Sequence, residues 1–384
     1  MRGNGVRPFW ALSILGLTAV GGCGSDAGNG ANKAVARAGI LSDAQCPQTV
    51  VIQTDWFPEA EHGAVYQLMG AGAVADKNSG SVVGPLVFHG VDTGVQLNIR
   101  SGGPFLGNQT VVSQMYQNPE ILLGLVTTDE SIKNAADFPT IAVLAPQEKS
   151  PQIIMWDALK HPTARTIADI AKEVDTITVF GGSTYVDYLI ASGYVPREKV
   201  DFNYLGNKLL ATDGATTAHQ GFATSEPFQY AHLDTGAITT AYQMIYDTGW
   251  DPYPETFVVQ PDKVVGNAKC LHALVPMLQQ AQLDYVVDHA AADRTIIDSN
   301  TTYASFWKYT QEDANFAVTE MLRLGIIANG TTRTFGDLED ARLAGFIAKA
   351  VPIFQSQGVA VSPTLKPSDI ADNEFLDPNL TYSG

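Results

Sequence analysis

Apolar residues in this chain come in short runs that alternate between two periods. Thr49-Val50-Val51-Ile52-Gln53-Thr54 is β-branched and predicts a strand. So do the runs at residues 95–99, 121–126, 141–144, 153–156, 177–180 and 200–204, with a further strand expected over Gly221-Phe222-Ala223-Thr224. Between them the spacing changes to that of helices. Pro58-Glu59 marks a helix start, after which Val65, Leu68 and Met69 keep one face. Val186, Leu189 and Ile190 share a face in a second helix, which Gly193 closes. From Lys263 onward the pattern is mostly helical. Phe316, Val318, Met321 and Leu322 carry the period as far as Gly325, and residues 337–354 predict one more helix. Strands alternating with helices predict an α/β protein with largely parallel sheets.

The N-terminus follows a different pattern. Arg2 and Arg7, with no acid nearby, precede an apolar run from Pro8 through Val20. That run is shorter than the ~20 residues a membrane span needs and fits the apolar core of an export signal. It ends in Gly21-Gly22-Cys23, which resembles a bacterial lipobox, so Cys23 is expected to be acylated and to become the first residue of the exported chain. The Gly-rich stretch from Gly24 to Asn32 has the composition of a flexible linker. Everything beyond it is expected to lie outside the cytoplasm, tethered at Cys23.

Removing residues 1–22 takes away two basic residues and leaves 21 Lys and Arg against 40 Asp and Glu, a formal charge of −19. Nucleic-acid binding is driven by basic residues replacing counterions and is not expected here. With Cys23 acylated, Cys46 and Cys270 remain. In an oxidising compartment they are expected to pair, the alternative being two separate buried thiols. About 340 residues follow the linker, more than one core usually holds, so two lobes are expected.

The sequence lacks His-Glu-x-x-His, Cys-x-x-Cys, Gly-x-Ser-x-Gly and phosphate-loop motifs, and its seven histidines show no metal-ligand spacing. Neither a metal nor a cofactor is expected. The polar clusters at strand ends suit recognition, because ligands of open α/β sheets sit beyond the carboxyl ends of strands. The first is Asp55-Trp56-Phe57-Pro58 with His62, in which Trp56 suits a flat ring and Asp55 an amine. The second is Gly181-Gly182-Ser183-Thr184 at a helix start. The third is Thr224-Ser225-Glu226-Pro227. Gly102-Gly103-Pro104, Thr127-Thr128-Asp129, Lys149-Ser150-Pro151, Tyr246 and Trp250 are weaker candidates, since residues of these kinds are more often turn or core features than ligand contacts.

At these residues the chain resembles a known family. Asp55-Trp56-Phe57-Pro58-x-x-x-His62 is similar to the Asp-Trp-x-Pro-x-x-x-His segment of thiamine-pyrimidine-precursor binding proteins, which belong with the nitrate/sulfonate/taurine-type solute-binding proteins of ABC importers. Leu144-Ala145-Pro146 through Pro151 and Thr224 to Pro227 resemble the stretches where that family crosses between lobes. The likeness is patchy and covers most of residues 46–260. It implies a two-lobe, type II periplasmic-binding-protein-like fold with a ligand cleft between the lobes. The division would be residues 1–22 signal peptide, 23–45 linker, 46–145 with 241–384 first lobe, and 146–240 second lobe. The ligand-binding residues it implies are Asp55, Trp56 and His62 on one side, Ser183 and Thr184 on the other, Glu226 near the return crossover, and Tyr246.

Two departures bear on the ligand. Residues 74–93 look like an inserted loop that reshapes the cleft mouth. Glu59 and Glu61 replace neutral polar residues and shift preference toward a cationic or amine-bearing ligand. The leading expectation is a monomeric solute-binding lipoprotein that takes a small heteroaromatic or amine-bearing ligand, without catalysis, and passes it to an ABC permease. A ligand sensor for a membrane receptor and a secreted enzyme on the same scaffold are the alternatives.

Overall fold

The computed structural model describes residues 39–204, 206 and 209–384. Cys23, the signal peptide and residues 23–38 of the expected linker lie outside the described residues. Residues 39–45 are packed rather than linker-like. Ile40–Asp43 form a helical turn with Leu41 fully buried, and a Cβ on Gly39 would sit 2.3 Å from the Thr93 carbonyl carbon. Composition pointed to a linker because the neighbours are small, yet one leucine with a core slot suffices to dock the segment.

Among the described residues twelve strands form two sheets. In chain order they are β1 (Thr49–Gln53), β2 (Val74–Asp76), β3 (Ser81–Phe88), β4 (Val91–Arg100), β5 (Ile121–Val126), β6 (Ile141–Leu144), β7 (Gln152–Asp157), β8 (Thr176–Thr178), β9 (Val200–Asp201), β10 (Thr217–Phe222), β11 (Thr240–Met244) and β12 (Thr256–Val259). The first sheet has the order β2-β3-β4-β1-β5-β12-β6 and the second β11-β7-β10-β8-β9. The α/β class expected from the periodicity is therefore present, but the sheets are mixed rather than largely parallel. Parallel pairing joins β1 to β4 and β5, and β8 to β9 and β10, while the other six pairings are antiparallel. Periodicity marks a strand without fixing its direction, which the connections decide.

Residues 74–93 are not an inserted loop. They form β2, β3 and the start of β4, an antiparallel meander at the edge of the first sheet. Pro85 lies within β3 although proline cannot donate to a ladder. In the fold it lies beyond the last β2 partner, beside an irregularity in the β3–β4 register, and its carbonyl accepts from Gly70 N at 2.8 Å. Three other strands differ in extent. β8 and β9 stop short of Phe180 and Tyr204, and β10 begins four residues before Gly221.

One face of the first sheet, with Ile52, Leu97, Ile99 and Leu123, packs on Leu271, Leu274 and Leu278 of the helix Ala268–Val287. Cys46 and Cys270 form a disulfide, with Cα atoms 4.7 Å apart, that pins the approach to β1 onto this helix. The opposite face, with Val51, Val126 and Ala142, shares a core with Ile154 and Trp156 of β7 and with Phe346 and Phe354 of the helix Asp340–Ser356. The second sheet extends through β11 to Met244, past the expected boundary at 240/241. The helix Asp340–Ser356, expected with the first lobe, also packs on the helix Tyr185–Ala191 that follows β8. No helix among the described residues is long and apolar enough to cross a membrane.

Candidate functional site

The carboxyl ends of β1 and β5 face a cavity of about 170 Å³, closed on the other side by the loop after β8, by β7 and β10, and by the segment after β10. Asp55, Trp56, Ser183, Thr184 and Glu226 all line it. His62 and Tyr246 do not. The helix expected from Pro58 begins instead as a tight 3-10 turn, Ala60–His62, which turns the imidazole inward. His62 is buried behind Asp55, with Nε2 2.9 Å from Asp55 Oδ1. Tyr246 lies outside the cavity, its ring 5.5 Å from Lys149 Nζ.

Asp55 and Trp56 are seated by the glycines after β4. Gly102 N donates to Trp56 O at 2.9 Å, and a Cβ on Gly102 would fall 2.3 Å from the Asp55 carbonyl carbon. Gly103, at φ +57°, leaves space for the Trp56 ring, which a Cβ there would meet at 2.5 Å. Gly102-Gly103-Pro104 thus acts by close backbone approach and does not line the cavity. The Trp56 ring stands edge-on to Phe180 at 6.3 Å and to Trp307 at 6.0 Å, so an aromatic wall spans both sides of the cavity.

On the second side one carbonyl organises the loop after β8. Gln220 Oε1 accepts from Phe180 N at 2.7 Å, Tyr185 Oη at 2.8 Å and Ser183 Oγ at 3.0 Å. The Thr184 hydroxyl donates to Asp129 Oδ2, which also accepts from Trp250 Nε1 at 2.8 Å. The helix start at residues 181–184 therefore faces a carboxylate. Glu226 accepts from Tyr204 Oη at 3.0 Å and from Phe222 N at 2.6 Å. Behind the cavity the buried Thr224 hydroxyl donates to Glu61 Oε1, joining the crossover after β10 to the turn after β1.

Sequence reasoning singled out Glu59 for its bearing on ligand preference, missed Glu130, Gln220, Tyr185, Tyr204 and Trp307, and gave little weight to Asp129; all of them line the cavity. The lining holds five carboxyl groups, those of Asp55, Glu59, Asp129, Glu130 and Glu226, and seven aromatic rings. Among the described lining residues there is no Lys, Arg or His. Burial pushes the Glu59 carboxyl well above the usual range, and the neighbouring Glu61 adds to the effect. Glu130, whose Oε1 is sealed from solvent, is pushed up to about 8, by burial first and then by Asp129. Burial also raises Glu61, against the hydrogen bond from Thr224, and holds Glu255 well above its ordinary value, with Asp55 adding to it. The Tyr204 and Tyr185 phenols, raised by burial, remain donors. Acids kept neutral by burial ionise when a positive charge is brought beside them.

No family model matches the chain, and no curated protein does. Solved structures do. The alkanesulfonate-binding protein SsuA from Xanthomonas axonopodis pv. citri, bound to MOPS, aligns with a TM-score of 0.54 at 13% identity, over 85% of this chain and 99% of its own. The periplasmic nitrate-binding protein NrtA from Synechocystis PCC 6803 aligns at 0.53 and 11% identity, over 85% and 87%. A Candida albicans protein with the generic periplasmic binding protein fold aligns at 0.51 and 14% identity, over 85% and 97%. The chain has the periplasmic binding protein fold expected from the sequence. The solved proteins that share it include ones named as alkanesulfonate-binding and periplasmic nitrate-binding.

Proposed function

We propose that the protein is the extracytoplasmic solute-binding component of an ABC importer and that it captures a small, amine-bearing heteroaromatic ligand as its cation. The observation that carries this reading is the cavity lining, five carboxyl groups and seven rings with no cationic side chain among the described residues. Sulfonate and nitrate, named for the similar structures, are anions and would meet like charge here. A protonated amine would be paired by Asp55, Asp129 or Glu226, and its ring would lie against Trp56 and Phe180. The ligand is held and released unchanged. Two lobes, one built on each sheet, close over it, and a Cys23 lipid anchor keeps the monomer beside its permease.

Native mass spectrometry of whatever co-purifies, followed by calorimetric titration, tests the reading. Thiamine, its pyrimidine precursor and related aromatic amines are expected to bind with one site per chain. Binding of alkanesulfonates or nitrate with no response to any amine would overturn it, and turnover of a bound amine would replace it with an enzyme.

A further inference from the structure

Asp55, His62 and Glu255 come together at the inner end of the cavity although they lie far apart in sequence. Asp55 follows β1, His62 ends the 3-10 turn, and Glu255 directly precedes β12, two strands away in the same sheet. One ligand atom from each lies within 4.8 Å of the other two. His62 Nε2 is 2.9 Å from Asp55 Oδ1 and 3.8 Å from Glu255 Oε2. Donor atoms around a tetrahedral ion with bonds of about 2.0–2.2 Å stand roughly 3.3 Å apart, so small side-chain adjustments bring all three into range of one ion.

Hydrogen bonds between His62 and Asp55 and between the Asp55 and Glu255 carboxyl groups explain part of this arrangement and leave one Glu255 oxygen over. Glu255 is only 3% exposed, and its Oε2, aimed into the trio, has no hydrogen-bond partner. A buried carboxylate oxygen without a partner is costly. Among the described residues no Lys or Arg pairs with any of the three. We propose that Asp55, His62 and Glu255 form a binding site for a divalent transition-metal ion of the zinc class. One imidazole with two carboxylates suits zinc, cobalt or manganese in preference to soft copper(I) or to calcium.

Asp55 also lines the cavity, and its side chain is 38% exposed, so the ion's open coordination position faces the cleft and is free for a donor atom of a molecule held there. His62 Nδ1 has no acceptor, so the site lacks the outer partner that orients histidine in permanent zinc centres. It is built for an exchangeable ion. The site shares Asp55 with the cavity, and His62 and Glu255 lie outside the cavity lining.

The test uses chelator-treated full-length protein without added ligand, titrated with Co²⁺ at pH 7.5. Visible d–d absorption is expected to saturate at one Co²⁺ per chain and to be displaced by Zn²⁺. His62→Gln and Glu255→Gln should each weaken Co²⁺ binding by more than about tenfold while the far-UV circular dichroism stays unchanged. Asp55→Asn, at a half-exposed side chain, carries the same test if either buried variant fails to fold. His289→Gln, which removes the separate His289–Asp293 pair, should leave the titration unaltered. Absence of saturable d–d bands in the wild type, or bands that persist in the folded ligand variants, would overturn the site. Amine binding by metal-free protein would leave the reading of the cavity standing either way.

Discussion

The indole nitrogen of Trp250 donates to Oδ2 of Asp129 at 2.8 Å, and the Thr184 hydroxyl donates to the same oxygen. Asp129 follows the first-sheet strand β5, and Thr184 follows the second-sheet strand β8. One carboxylate thus ties the two sides of the cavity together. Asp129 is almost wholly buried, so Asp129→Ala strands a buried indole N–H and is expected to cost about 1–3 kcal/mol. Urea denaturation measures the loss, and a shift in Trp250 fluorescence should accompany it. An unchanged midpoint would mean that water replaces the carboxylate without cost.

Trp56 forms the aromatic wall against Phe180. Trp56→Ala is expected to weaken binding of an aromatic cation by about 1–2 kcal/mol, roughly 5- to 30-fold in Kd. Its side chain is partly exposed, so circular dichroism should remain near wild type. Collapse of the fold in this variant would make Trp56 a core residue first and a ligand contact second.

Acidity provides a third test. A carboxyl whose pKa is higher folded than unfolded binds more protons in the folded state. Its contribution is present at low pH and is lost as pH rises through the folded value. Glu59 and Glu130 are raised in this way. The unfolding free energy of the ligand-free protein should therefore fall from about pH 5 toward about 8, the value for Glu130. Urea midpoints across that range measure the slope, and Glu130→Gln should flatten it. A cationic ligand favours the ionised acids, so its affinity should rise over the same interval with release of protons. Calorimetry in buffers of different ionisation enthalpy reads that release directly. Affinity that stays flat, or falls, would rule out a cation in contact with these groups.

The Cys46–Cys270 bridge closes a separation of 224 residues. Reduction, or the pair Cys46→Ser with Cys270→Ser, is expected to lower the unfolding free energy by about 2–5 kcal/mol. Comparing urea curves with and without reductant checks this. Coincident curves would show that the packing around Leu271 and Leu274 holds the segment unaided.

The sequence made the strand ends legible. A β-branched run ending in Asp55-Trp56, and Glu226 held just before Pro227, signalled a cleft because large polar and aromatic groups at strand ends rarely serve packing alone. His62 is on the expected side but buried behind Asp55 instead of lining the cavity, because the chain makes a 3-10 turn where α-helical spacing was expected. Gln220 was missed because Thr217-Ala218-His219-Gln220 carries little apolar signal. That stretch is nevertheless a strand, fixed by its neighbours β7 and β8 and by His219 Nε2 bonding Tyr230 Oη at 2.8 Å. Glu255 and Trp307 reach the site through tertiary contact alone, which no local spacing encodes. The antiparallel pairing of β12 and of the β2–β3–β4 meander was hidden for the same reason, because strand direction belongs to the connections.

The disulfide has a mechanical consequence as well. Tension applied from the N-terminal side meets the docked turn at Leu41 and, once that turn is pulled away, reaches Cys46 just before β1. β1 lies between β4 and β5 inside the first sheet, where a pull from its own end would unzip hydrogen bonds one at a time. The covalent link diverts that load into the long helix Ala268–Val287. The sheet that carries Asp55 and Trp56 then hangs from its helical backing, and under load the cavity wall is spared until the bridge is reduced.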